Sequence, residues 1–172
     1  MYIIREAGPD DAHTIAALLW AYMRETYQDE WRGSVNGLLE DGFGARFRAL
    51  VAVLADQAVG FLAWEKSYDL HHCLGGGHIL DLYVAHRHRA RGIAVQLIAR
   101  AAGLIHTEGG AFIKGGAVDS GTGSRLYGRF APAFGNDYIL GGKAFRHLAA
   151  QSNLPVRGLV RSMPKREWNF EP

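Results

Sequence analysis

A single cysteine in 172 residues, Cys73, rules out an internal disulfide, so the core alone must hold this chain. One cysteine also fits a reducing compartment. No apolar run approaches the roughly 20 residues needed to cross a bilayer. The amino terminus, MYIIREAGPDD, lacks the basic-then-apolar order of a secretory leader. We therefore expect a cytoplasmic protein without a membrane partner. The net charge is only +2, too little to make nucleic acid the main partner. Two phosphate loops are missing as well. No Gly-Lys-Ser/Thr ends an ATP-binding loop, and no three-glycine turn follows a strand. His71, His72 and Cys73 stand together, but adjacent histidines point apart and no second ligand pair follows at zinc spacing. No metal is expected.

What is present is enough apolar sequence, 48% hydrophobic against 21% charged, for one sizeable core. Neither a repeat nor a linker interrupts it. The expectation is one domain over 1–172, with an irregular basic tail from about 155. Tyr2 to Glu6 reads as an opening strand. Asp10 or Asp11 can cap a helix carrying Ile15, Leu18, Leu19, Tyr22 and Met23 on one face. A short helical piece spans Val35 to Glu40. Ala49 to Leu54 and Ala58 to Trp64 form a hairpin about Asp56-Gln57. Tyr68 to Gly77, with three consecutive glycines, reads as a loop, and Ile79 to Val84 as a strand. Ile93, Leu97, Ile98, Ala101, Leu104 and Ile105 repeat at helical spacing until Gly109-Gly110. A strand at Ala111 to Val118, a short helix at Ser124 to Phe130 and a late strand at Tyr138 to Phe145 complete the pattern.

The richest stretch joins the strand ILDLYV to the helix after Gly92 through a loop with Arg87, Arg89 and Arg91. A helix start presents unpaired N–H groups and the positive end of the dipole. Small residues there admit an anion, and the arginines add charge. The residues describe a phosphate or pyrophosphate site.

Arg89-Ala90-Arg91-Gly92-Ile93-Ala94 resembles the Arg/Gln-x-x-Gly-x-Gly/Ala signature of the GCN5-related N-acetyltransferase (GNAT) superfamily. The preceding strand, Leu82-Tyr83-Val84, stands at the family's distance from it. The resemblance implies an α/β fold, with a central, mostly antiparallel sheet whose middle strands splay apart between flanking helices. It implies acetyl-coenzyme A as co-substrate, its pyrophosphate on Arg89 to Ala94 and its pantetheine arm along Leu82, Tyr83 and Val84. The N–H near Val84 would polarise the acetyl carbonyl. A second likeness follows the next strand, where the family places a polar residue and then, seven residues on, a tyrosine. Ser120 and Tyr127 occupy those places. Tyr127 would protonate the departing thiolate, a transfer from a phenol near pKa 10 to a thiol near 8.5 that is uphill by about 2 kcal/mol. Tyr127 also reads as a core tyrosine of an amphipathic helix. The chain departs from the family's Tyr-x-x-x-Gly-Phe, running Tyr127-Gly128-Arg129-Phe130-Ala131-Pro132.

Asp81 resembles the acidic residue before the strand end in the polyamine-acetylating branch. A protonated amine must lose a proton before it attacks a thioester, and a carboxylate can attract and deprotonate it. Asp81 is the first candidate base, Glu65 the second and His78 the third; Asp81 could equally just bond nearby backbone at a strand bend. Trp31 beside Asp29 and Glu30, and Trp64 beside Glu65, would suit an ammonium group. Cys73 lacks the surroundings of a nucleophile. The expected activity is transfer of acetyl from acetyl-coenzyme A to a primary amine of a small-molecule acceptor, by direct attack in a ternary complex. Two other readings stand beside it: a coenzyme A-binding sensor, and a tRNA-directed toxin-like acetyltransferase using Arg157, Arg161 and Arg166. Dimers are common in the superfamily, so a homodimer lies within its expectation.

Overall fold

In the computed structural model, which describes residues 2–117, 122–129, 131–134, 137–153, 155 and 157–158, twelve labelled elements follow one another. They are β1 (Ile3–Glu6), α1 (Ala12–Tyr27), α2 (Val35–Asp41), β2 (Arg48–Leu54), β3 (Gln57–Asp69) and β4 (Leu74–Val84). Then come α3 (Ile93–Thr107), β5 (Phe112–Gly116), α4 (Thr122–Tyr127), β6 (Ala133–Phe134), β7 (Asp137–Gly141) and α5 (Gly142–Ala150). The strands form one sheet in the order β1-β2-β3-β4-β5-β7-β6. Only the β4–β5 pair is parallel, as its crossover through α3 requires. The mixed, mostly antiparallel α/β architecture is the expected one.

Local chemistry explains the ends of several elements. Asp11 does not cap α1 with its side chain. Its carboxylate accepts the Gly8 N–H at 3.0 Å and pairs with Arg5 at 2.7 Å, fixing a 3-10 turn at Pro9–Asp11 that leads into the helix. Ser34 caps α2 by accepting the Gly37 N–H at 3.0 Å. The β2–β3 hairpin turns on Ala55 and Asp56, both at positive φ, as a two-residue turn matching strand twist requires.

Helices cover both faces of the sheet. On one side Ile15, Leu18 and Leu19 of α1 pack on Val51, Phe61 and Tyr83. On the other, Leu97, Ile98 and Ala101 of α3, with Phe145 and Leu148 of α5, pack on Leu50, Leu62 and Trp64. Full burial of one such leucine is worth about 2 kcal/mol, so these two layers fix the sheet that carries the site.

Two segments differ from the sequence reading. The expected loop at 68–77 shrinks to a turn at 70–73: β3 and β4 run on as a long hairpin, paired from Gly60↔Val84 out to Asp69↔Leu74. The glycines are there for close approach. A Cβ on Gly76 would stand 2.5 Å from the Phe112 carbonyl oxygen, and one on Gly77 would stand 2.4 Å from Ile105 Cδ1. The late strand also ends early. Gly142, at φ 54°, turns the chain from β7 into α5, where Ala144, Phe145, Leu148 and Ala149 are buried at helical spacing. Among the described residues, no helix is long and apolar enough to cross a membrane.

Candidate active site

The site arises from a strand with one neighbour too few. Strand β4 pairs with β3 along its whole length, but with β5 only at Gly76, Gly77 and His78. Beyond His78 the two parallel strands part. A cleft of about 830 Å³ opens between the end of β4, the start of α3, the end of β5 and α4, with the last turn of α1 as its other wall.

A β-bulge marks the parting. Ala63 faces Asp81 and Trp64 faces Ile79, so Leu80 is the extra residue of β4. Side chains alternate along a strand, and one inserted residue reverses every later one. Ile79 packs with the α3 layer; after the bulge Val84 joins that layer while Tyr83 packs with α1. Asp81 shares Tyr83's parity, so the bulge directs its carboxylate toward α1 and the cleft.

The strand's end is tied to the loop that follows. Arg89 donates from Nε to the Val84 carbonyl at 2.8 Å and lies over the Tyr83 ring at 5.5 Å. It also forms an ion pair with Glu25, whose other oxygen accepts the Tyr83 hydroxyl at 3.0 Å. Beyond Arg89 the backbone turns left-handed twice, at Ala90 (φ 59°) and Gly92 (φ 78°). Gly92 is the N-cap of α3 and carries no capping side chain, and the helix's first internal bond runs from the Gln96 N–H to Gly92. The N–H groups of Ile93, Ala94 and Val95 thus stand at the cleft as open donors, a concave anion seat.

Two titratable side chains line the cleft from different elements, Asp81 from β4 and Tyr127 from α4. Burial pushes the Asp81 carboxyl up to about 6, while a hydrogen bond from Tyr22 holds it back. Burial, and then the charge of Asp81, push the Tyr127 hydroxyl up to about 12. The ring of Tyr127 is 8% exposed and packs 5.6 Å from that of Tyr138. Tyr22 is raised too, first by burial and then by its bond to Tyr27. Both tyrosines are therefore neutral hydroxyl donors at physiological pH, and Asp81 is mostly a carboxylate.

A family model for the acetyltransferase (GNAT) family matches residues 12–120. The chain belongs to the GNAT family. Its fold resembles the ribosomal-protein-alanine N-acetyltransferase of Brucella melitensis biovar Abortus 2308, with a TM-score of 0.66 at 26% identity over 78% of this chain and 94% of that one. An aminoglycoside acetyltransferase from an uncultured soil metagenomic sample gives 0.65 at 24% identity, over 78% and 93%. The PaiA N-acetyltransferase of Thermoplasma acidophilum, solved in complex with coenzyme A, gives 0.62 at 16% identity, over 81% and 96%. The last two likenesses concern the fold alone. No curated protein matches the chain.

Within this GNAT cleft the structure gathers most of the residues singled out in the sequence. Asp81, Leu82, Tyr83, Val84, Arg89, Ala90, Gly92, Ile93, Ala94 and Tyr127 all line it, and so does His78. Arg91 does not; it turns away and donates to the Tyr2 hydroxyl at 3.0 Å. Arg89 lines the wall but is engaged by Val84 and Glu25, so the anion seat is mainly backbone. Glu65 also lies outside the cleft, across the ladder from His78 with Oε1 3.2 Å from Nδ1. Trp64 is 3% exposed beneath Arg48, and Trp31 packs against the α1 layer beside Gly33, so neither offers a free face to the cleft. Ser120, Arg161 and Arg166 lie outside the described residues. Tyr22, Glu25 and Thr26 were missed as wall residues. The helical period places Tyr22 in the core face, and nothing in the sequence marks Glu25. Among the described residues no group of three His, Cys, Asp or Glu side chains is arranged to hold a metal ion.

Proposed function

We propose that this GNAT protein transfers the acetyl group of acetyl-coenzyme A to a primary amine by direct attack within a ternary complex. One observation carries the reading: Asp81 and Tyr127, of opposite proton affinity, line a single cleft beside an open strand edge and an open helix start. The backbone at Ala90, Gly92, Ile93 and Ala94 suits the pyrophosphate, with Arg89 holding the loop to the strand and Arg91 bracing it from Tyr2. The free edge of Leu82, Tyr83 and Val84 suits the pantetheine amides, bonded as an added strand would be. By the resemblance, Ser120 completes the donor site.

Asp81 takes one proton from the bound ammonium. The amine nitrogen then forms a C–N bond to the acetyl carbon while the Val84 N–H polarises the carbonyl oxygen. The C–S bond breaks, and Tyr127 gives the departing sulfur its proton. With the phenol at about 12 rather than 10, full transfer to a thiolate near 8.5 is uphill by about 5 kcal/mol. Tyr127 therefore acts as a hydrogen-bond donor that completes proton transfer late, as sulfur charge develops. The nitrogen sheds its second proton as the amide forms, which replaces the one Tyr127 gave, so the products are an acetamide, coenzyme A thiol and the proton held by Asp81. Thiol release from acetyl-coenzyme A, dependent on an added amine, tests the reading; coenzyme binding without amine-dependent release would leave only a sensor.

Asp81 supplies a prediction of its own. The base must be ionised, so kcat/KM should rise tenfold per pH unit below about pH 6 and level above it. Asp81→Asn should remove that limb and lower the plateau by about 100-fold; an unchanged profile would exclude Asp81. Stability should move the other way. A carboxyl raised from 3.8 to about 6 by folding favours the folded state below pH 3.8, and that advantage is lost as pH rises through 6. At pH 8 the Asn variant should therefore be the more stable protein, by up to about 3 kcal/mol, and at pH 3.5 nearly equal to the parent in urea titrations.

A further inference from the structure

We infer that the acceptor is a primary amine with a single positive charge carried on an aryl or similarly bulky apolar body, an arylalkylamine in chemical class; this rests on the transferase reading above. The acceptor half of the cleft is a wall of phenols. Tyr22 stands at its centre, with its ring 5.7 Å from that of Tyr27 and 5.8 Å from that of Tyr83. All three line the cleft. The hydroxyls of Tyr22 and Tyr27 lie 3.3 Å from each other, and that of Tyr83 is given to Glu25. Tyr83 is 6% exposed beneath Arg89, so the ring surface this wall presents is mainly that of Tyr22 and Tyr27.

The charges are just as restrictive. Glu25 also lines the cleft, but the Arg89 guanidinium neutralises it. Glu65 lies outside and faces His78. Asp81 has no lysine or arginine partner among the described residues; Tyr22 is the group bonded to it. Among the described residues the acceptor half therefore holds one uncompensated carboxylate, next to an aromatic ring. An ammonium seated there gains both the carboxylate and the ring face. A polyamine or an aminoglycoside would bring further cations into the cleft with no second uncompensated carboxylate among the described residues to offset their desolvation. A peptide amino terminus carries the right single charge, but its backbone amides would meet rings instead of donors and acceptors.

The test is a thiol-release assay with acetyl-coenzyme A and the intact chain, comparing phenethylamine, tryptamine, spermidine, kanamycin and an alanyl tripeptide. Phenethylamine or tryptamine should exceed the other three in kcat/KM by at least about tenfold. Preference for spermidine, kanamycin or the tripeptide would overturn this inference and leave the transferase reading standing. Release with none of the five would overturn both. Tyr22→Leu should raise KM for the aryl amine about fivefold to tenfold with KM for acetyl-coenzyme A unchanged. An unaltered amine KM in the folded variant would remove the aromatic wall from recognition.

Discussion

Gly92→Glu is expected to abolish coenzyme A binding, with titration calorimetry showing a loss on the order of a thousandfold or more. Two costs combine. Gly92 sits at φ 78°, where a residue with a Cβ is strained by about 1–2 kcal/mol. The new carboxylate would also project at the head of α3, where open N–H groups otherwise receive the pyrophosphate. Like charges about 4 Å apart repel by about 4 kcal/mol at an effective dielectric of 20. Gly92→Ala separates the two, since it keeps only the strain and should weaken binding about tenfold. If the Glu variant melts like the parent and binds coenzyme A normally, the pyrophosphate does not lie at this helix start.

Tyr127→Phe has the second-largest expected effect, a fall in kcat of about 100-fold to 1,000-fold with coenzyme A affinity within about twofold of the parent. The ring is what packs on Tyr138, and phenylalanine preserves it; the substitution removes only the proton donor. Because the hydroxyl is pushed up to about 12, the parent's rate should show no loss from Tyr127 ionisation between pH 7 and 10. A normal rate in the Phe variant would assign the leaving thiolate's proton to water. A large loss of affinity instead would make Tyr127 a binding residue.

The sequence was legible where one local pattern matched one local structure. The α3 repeat, the Gly92 turn and the strand before it needed only periodicity and helix-end chemistry, and they lie where they were expected. Glycine was harder to read. Gly75, Gly76 and Gly77 suggested a loop because glycine's commonest use is conformational, whereas Gly76 and Gly77 serve β4 by letting Phe112 and Ile105 approach. At Gly141 and Gly142 the signal was a stop. An apolar run that crosses two glycines changed period from strand to helix, and the buried Ala144 and Phe145 looked alike in either.

The site divides in the same way. Apart from Ser120 and Tyr127, its donor side is one contiguous segment, Leu82 to Ala94, so chain order carries most of it. Its acceptor side joins Asp81 to Tyr22 and Glu25, more than fifty residues earlier. The ion pair of Glu25 with Arg89 exists only because α1 packs beside the end of β4. No spacing along the chain could announce that pair. Glu65 and Arg91 show the opposite case. Each neighbours the site along the chain or the ladder, yet the first lies outside the cleft and the second bonds Tyr2.

The extra residue at Leu80 sets a rule of parity for this enzyme's descent. Leu80 itself is 43% exposed, so many side chains should be acceptable there. The bulge itself is another matter: were Leu80 to pair regularly opposite Ala63, Asp81 and Tyr83 would face α3 while Leu82 and Val84 faced α1. The active face is thus encoded by the register of β4 on β3 as well as by the identity of its residues. Substitutions can tune the acceptor half gradually, but exchanging one face of this strand for the other would take a one-residue shift of its register.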